Sequence, residues 1–224
     1  MKTIIGSWKI NGAVDFAKKF IDEINTVDTQ NRVVVCPPVG LLHLFKNFKY
    51  DIGAQNCFWK NSGAFTGENS PSLLKELGCK YVIAGHSERR ALFGESNEGI
   101  FKKYEAIVSE KMTAVICIGE KQEERDNWKD VLAKQLEKFS KKKLEHIIFA
   151  YEPVWSIGTG LIPSIAEIEI VARFVKDFVG NYPFLYGGSV NSQNSQKILK
   201  CNNVDGVLVG AASLEIDEFS KIIG

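Results

Sequence analysis

The feature that most constrains this chain is an alternation kept up from one end to the other. Short β-branched and aliphatic runs take turns with longer segments whose apolar residues recur at helical spacing, which is the pattern of a parallel α/β sheet or barrel. Eight such units can be counted. Strands are expected at Thr3–Lys9, Arg32–Cys36, Asp51–Gln55, Tyr81–Ala84, Ala114–Ile118, Ile147–Tyr151, Phe184–Tyr186 and Gly206–Val209. Helix signals lie between them: Ser70-Pro71 reads as an N-cap followed by a proline in the first turn, Ser164-Ile165-Ala166-Glu167 as a capping box, and Leu77-Gly78 as a helix end.

Length and composition narrow the architecture. The 224 residues, 45% hydrophobic and 25% charged, suit one globular domain with a large core, so a single domain over residues 1–224 is expected. Shared among eight units, 224 residues leave 28 each, lean beside the roughly 250 typical of a (β/α)8 barrel. Some helices or loops must therefore be trimmed. The segment from Asn127 to Leu144 is lysine-rich but keeps apolar spacing, so it reads as a solvated helix face. A net charge of +1, from 28 basic and 27 acidic residues scattered along the chain, offers no stripe for nucleic acid or anionic lipid. No apolar run approaches the ~18 residues of a membrane span, and Met1 leads straight into Lys2-Thr3-Ile4-Ile5 without a secretory stretch, so a cytoplasmic location is expected. Cys36, Cys57, Cys79, Cys117 and Cys201 are odd in number, widely spaced and without a CxxC, which suggests buried, reduced thiols rather than a disulfide framework or zinc site.

Barrel enzymes carry their reacting groups where strands run out into the following loops. Behind the fourth strand, Gly85-His86-Ser87-Glu88-Arg89-Arg90 follows an apolar run at once. The bland alternative for His86 is a hydrogen bond within a buried loop. His43, among leucines, and His146, before a strand, are read as structural. Behind the sixth strand stands Glu152, where a partly desolvated carboxylate has its proton affinity raised, as a general base requires; the alternative is an ordinary surface glutamate. Pro153 to Gly160 follows it, proline at one end, glycines at the other, and Trp155 and Ile157 between, a composition suited to a lid with a rigid body and flexible edge. The seventh and eighth strand ends, Tyr186-Gly187-Gly188-Ser189-Val190 and Val209-Gly210-Ala211-Ala212-Ser213, are small enough for peptide N–H groups to approach a phosphate. Lys9, after the first strand, would add a cation facing the same cavity.

Taken together, these residues resemble the triosephosphate isomerase family from Trp8-Lys9 to Ala212-Ser213-Leu214. The most specific segments are Ala84-Gly85-His86-Ser87-Glu88-Arg89-Arg90, Tyr151-Glu152-Pro153-Val154-Trp155 with Ile157-Gly158-Thr159-Gly160, Tyr186-Gly187-Gly188-Ser189-Val190, and Cys117-Ile118-Gly119-Glu120. The resemblance implies a single TIM barrel, a parallel eight-stranded barrel with outer helices. It further implies interconversion of dihydroxyacetone phosphate and D-glyceraldehyde 3-phosphate, a step of glycolysis and gluconeogenesis, with no metal or organic cofactor. By resemblance, Glu152 is the base, neutral His86 donates to the carbonyl oxygen, and Lys9 stabilises enediolate and phosphate charge. Glu88, beside Ser87, orients the site. The phosphate is held by N–H groups of Gly158, Ser189, Gly210 and Ala211, with Gly158 arriving as the lid closes. Gly63 to Glu68, with Phe65, Thr66 and Gly67 at its centre, resembles the family's protruding third loop, which inserts into a partner subunit, so a homodimer is expected.

Three departures stand out. Ser7 replaces the family's usual asparagine, a substrate-reaching amide; Ala211 replaces a usual glycine; and Leu161-Ile162-Pro163 stands where Lys-Thr-Ala is common. Two alternatives are carried forward: another phosphosugar barrel enzyme, such as a phosphoribosyl isomerase or indole-glycerol-phosphate synthase, which lacks the His86 and Glu152 contexts; and a degenerate barrel that only binds phosphate ligands or a partner protein.

Overall fold

The computed structural model describes residues 1–140 and 142–224. Lys141, within the lysine-rich segment, lies outside the described residues. Eight strands, β1 (Thr3–Ser7), β2 (Arg32–Cys36), β3 (Asp51–Ala54), β4 (Tyr81–Ala84), β5 (Thr113–Ile118), β6 (Ile147–Tyr151), β7 (Phe184–Tyr186) and β8 (Gly206–Val209), pair in sequence order and close into a barrel. Every pairing is parallel, and β8 meets β1 from Thr3↔Gly206 to Gly6↔Val209. A Cβ on Gly206 would lie 1.8 Å from the Thr3 carbonyl oxygen, so this close approach of two backbones requires glycine.

Around the barrel run α1 (Val14–Ile24), α2 (Pro71–Glu76), α3 (Ser87–Leu92), α4 (Asn97–Ser109), α5 (Trp128–Leu136), α6 (Ile165–Val179), α7 (Ser195–Leu199) and α8 (Ile216–Ile223). The trimming that the length demanded falls in particular units. After β2 the chain makes a 3-10 run, Val39–Asn47, in place of an α-helix, and α7 has five residues. The cap signals are realised: Ser70 Oγ accepts from Leu73 N–H at 3.2 Å, and Ser164 with Glu167 forms a reciprocal box. Strand limits differ from the expectation mainly at β1, which stops at Ser7 because Lys9 adopts a left-handed φ of 55°, incompatible with a continued strand. Likewise β3 stops at Ala54, and β5 begins one residue early, at Thr113.

Neighbouring residues along a strand belong to two separate cores. Ile5, Val34, Ile83, Val115 and Leu185 belong to a cluster enclosed by the barrel, whereas Ile4, Val33, Val35 and Val82 join the larger layer between strands and helices. Strands buried on both faces explain the near-continuous apolar runs in the sequence. Trp8, fully buried, packs edge-on against Phe20 with centroids 4.8 Å apart and against Phe45 at 5.7 Å. These contacts pin the turn that carries Lys9.

Candidate active site

Because all eight strands run the same way, their C-terminal ends share one mouth, and residues far apart in sequence are delivered there together. Ser7 and Lys9 after β1, His86 after β4, Glu152 and Gly158 after β6, Ser189 after β7, and Gly210 and Ala211 after β8 all line one cavity of roughly 330 Å³. Phe65, Thr66 and Gly67 are exposed in a separate loop, between β3 and α2. His43 and His146 are exposed and take no part in the cavity lining.

Glu152 follows β6 directly and is 2% exposed. One carboxylate oxygen accepts from the Ser87 peptide N–H at 3.1 Å, and the other lies 3.1 Å from His86 Nε2. His86 caps α3, and its Nδ1 accepts from Glu88 N–H at 3.3 Å. With Nδ1 accepting, Nε2 is the ring nitrogen that carries a proton, and it faces Glu152. Burial first, and then the Glu152 carboxylate, push the Cys117 thiol well up, making it a neutral wall behind the carboxylate. Lys9 is tied to the Glu88 carboxylate at 2.5 Å, which fixes a cation at the cavity edge and compensates the strained backbone from which it projects. Glu88 thus touches both Lys9, through its side chain, and His86, through its backbone.

The segment after Glu152 is anchored at its near end. Val154–Ser156 forms a 3-10 turn, and Trp155 Nε1–H donates to Glu120 Oε1 at 2.9 Å, where the Tyr151 hydroxyl also donates at 2.9 Å. Burial holds the Glu120 carboxyl above its usual range despite these donors. The Arg125 guanidinium stacks on the Trp155 ring at 4.1 Å. The far end is looser, with Gly158 and Gly160 at φ of 70° and 77° and Leu161 and Ile162 exposed. Gly158 already borders the cavity, whereas the sequence reading brings it in only on closure. Beside the lid, Gly188 requires its lack of a side chain: a Cβ there would sit 2.2 Å from the Tyr186 hydroxyl.

Two departures acquire a structural setting. Ala211 opens a 3-10 turn, Ala211–Ser213, so its N–H has no acceptor within that turn. Among the described non-glycine residues only Lys9, Lys111 and His146 have positive φ, so the Ala211 backbone accommodates its Cβ without strain. Ser7 is 5% exposed and faces the cavity with a shorter side chain than asparagine would offer.

Comparison with known proteins agrees with this geometry. The family model described as triosephosphate isomerase matches residues 2–224. The chain belongs to the triosephosphate isomerase family. A triosephosphate isomerase from Buchnera aphidicola subsp. Cinara cedri (strain Cc) is 38% identical over 98% of this chain and 96% of its own length. As a member of this family the chain is an isomerase enzyme, with a triose phosphate as its substrate. No group of three or more potential metal ligands occurs among the described residues.

Ser156, to which the sequence alone gives no role, is fully buried within the lid. A serine between Trp155 and Ile157 carries no burial signal of its own, and only the fold brings Tyr186 and Ser189 against it. Glu120 and Tyr186 were visible as parts of motifs, but their bonds to the lid were not.

Proposed function

We propose that this chain interconverts dihydroxyacetone phosphate and D-glyceraldehyde 3-phosphate by proton transfer through an enediolate. The reading is supported above all by the 3.1 Å approach of Glu152 to His86 inside one cavity with Lys9 and the Ser189, Gly210 and Ala211 backbones. A substrate carbonyl oxygen takes the Nε2–H hydrogen bond now directed at Glu152, and the released carboxylate abstracts the proton from the hydroxyl-bearing carbon beside the carbonyl and returns it to the former carbonyl carbon, while the hydroxyl proton passes to the former carbonyl oxygen by way of His86 Nε2. The neutral imidazole lends a hydrogen bond to the developing oxyanion, and the Lys9 ammonium stabilises the same charge and the phosphate. The peptide N–H groups of Gly158, Ser189, Gly210 and Ala211 hold the phosphate dianion, and the 153–160 lid excludes water from the enediolate.

Purified chain assayed with either triose phosphate should interconvert them, with kcat lowered about 10²- to 10⁴-fold by Glu152→Gln and by His86→Ala. Wild type and both variants converting equally poorly would favour the non-catalytic phosphate-binding barrel instead.

The active assembly is a homodimer. Ile10, Val39, Leu92 and Phe93 are exposed around a second cavity of roughly 710 Å³ that also reaches Lys9, His86 and Glu88, and Phe65 is 42% exposed in the 63–68 loop. Apolar side chains gathered at a surface opening mark a place for a partner. The cytoplasm is the proposed compartment, supported by five cysteines that are unpaired and buried.

A further inference from the structure

Ser156 is 0% exposed, yet it belongs to a lid and carries a hydroxyl. Its hydrogen bonds account for that burial. Ser156 Oγ donates to the Leu161 carbonyl at 2.5 Å, joining the two limbs of the lid. A hydroxyl has one proton, so the 3.2 Å contact between Ser156 Oγ and the Tyr186 hydroxyl must be donated by Tyr186. The remaining acceptor capacity of Ser156 Oγ takes the Ser189 peptide N–H at 3.4 Å, while Ser189 Oγ donates to the Ser156 carbonyl at 2.5 Å. The tie to the N–H is the long one of the set and therefore the easily exchanged one.

We propose that Ser156 is a positioning residue whose hydroxyl occupies the Ser189 N–H in place of a substrate phosphate oxygen and is exchanged for it when the anion binds. The inference rests on the reading of Ser189 as part of the phosphate cradle. The Ser189 N–H, half-buried at the wall of the cavity, needs an acceptor, and Ser156 supplies one before the anion arrives. Phosphate binding then releases Ser156 Oγ from this duty, loosening one lid-to-loop contact at the moment the lid has to move. Anion binding and lid position are thereby coupled through a single hydroxyl.

The test is titration of the full-length protein with inorganic phosphate, followed by calorimetry and by competitive inhibition of the isomerase reaction. Ser156→Ala removes the competing acceptor, so phosphate should bind about threefold to tenfold more tightly, the span of one modest hydrogen bond, and KM should fall in step. Ser189→Ala keeps the N–H and loses only the bond to the Ser156 carbonyl, so it should not tighten binding. A merely structural role for Ser156 predicts weaker phosphate binding in both variants. Hydrogen exchange gives a second readout without ligand: the Ser189 amide should exchange faster in Ser156→Ala than in wild type. Equal or weaker phosphate binding in Ser156→Ala, or unchanged exchange at Ser189, would overturn the inference while leaving the cradle intact. Failure of wild type itself to bind phosphate in competition with substrate would overturn both.

Discussion

Glu152 and His86 each stand immediately behind a strand, β6 and β4, and a closed parallel barrel has one mouth to which such positions lead. What the sequence could not convey was their mutual state: a carboxylate shared between a peptide N–H and an imidazole, and an imidazole whose tautomer is set by the Glu88 backbone. That depends on where α3 begins relative to β4, a matter of tertiary placement. Lys9 shows the same limit. Its charge was legible, but its left-handed backbone and its tie to Glu88 were not. Ser7 offers a prediction at this scale. Restoring the longer amide with Ser7→Asn should leave kcat similar or higher, because the side chain faces a cavity with room for it; a large loss of kcat in a steady-state assay would show the serine to be an integral part of the site.

Strand and helix positions were largely readable, since β-branched runs and cap residues such as Ser70 and Ser164 act locally. The element after β2 was less so: its apolar residues Leu41, Leu42 and Phe45 are compatible with either helix type, and it packs on α1 as a 3-10 run. Ties between elements were invisible. Glu95 accepts from Arg89 and from Lys103, both at 2.5 Å, and Lys103 is 4% exposed and also donates to Asn56 at 2.6 Å. This cluster joins α3, α4 and the loop after β3. Burial pushes the Glu95 carboxyl up, but the hydrogen bonds from Lys103 and Arg89 outweigh it and hold the carboxyl below its ordinary value of 4.5. A depressed native pKa contributes stability that is present above 4.5 and lost as pH falls through the native value. Glu95→Gln should therefore destabilise the fold by about 3 kcal/mol near neutral pH by stranding Lys103. The difference from wild type should shrink in acid, as read by urea unfolding at fixed protein concentration; a pH-independent difference would argue against the ion pair. The lid is a second element with its own prediction. Pro163 is buried at its far end and locks one backbone angle, so Pro163→Ala should alter opening rates in relaxation dispersion. Unchanged rates would count against a stiffened hinge.

At the scale of the whole molecule, the closed parallel barrel makes the site a property of the entire chain: groups after β1, β4, β6, β7 and β8 converge only if every strand pairs in register. Eightfold alternation made this closure legible, while the close approach at Gly206 that seals β8 to β1 carried no distinctive signal among the chain's 19 glycines. The apolar rim around Ile10, Leu92 and Phe93 extends the argument beyond one chain. Sedimentation velocity should give a dimer, and Phe65→Asp should shift it towards monomer with loss of activity; a wild-type monomer with full activity would refute the proposed assembly. The central claim is that Glu152 moves a proton between two carbons of a triose phosphate. Its most direct test is to convert D-glyceraldehyde 3-phosphate in D₂O and follow the product by proton NMR. The account predicts dihydroxyacetone phosphate carrying deuterium at C1 in at least a fraction of molecules, with conversion and labelling both collapsing in Glu152→Gln. Product free of deuterium, or a Glu152→Gln variant that labels it as fast as wild type, would contradict it.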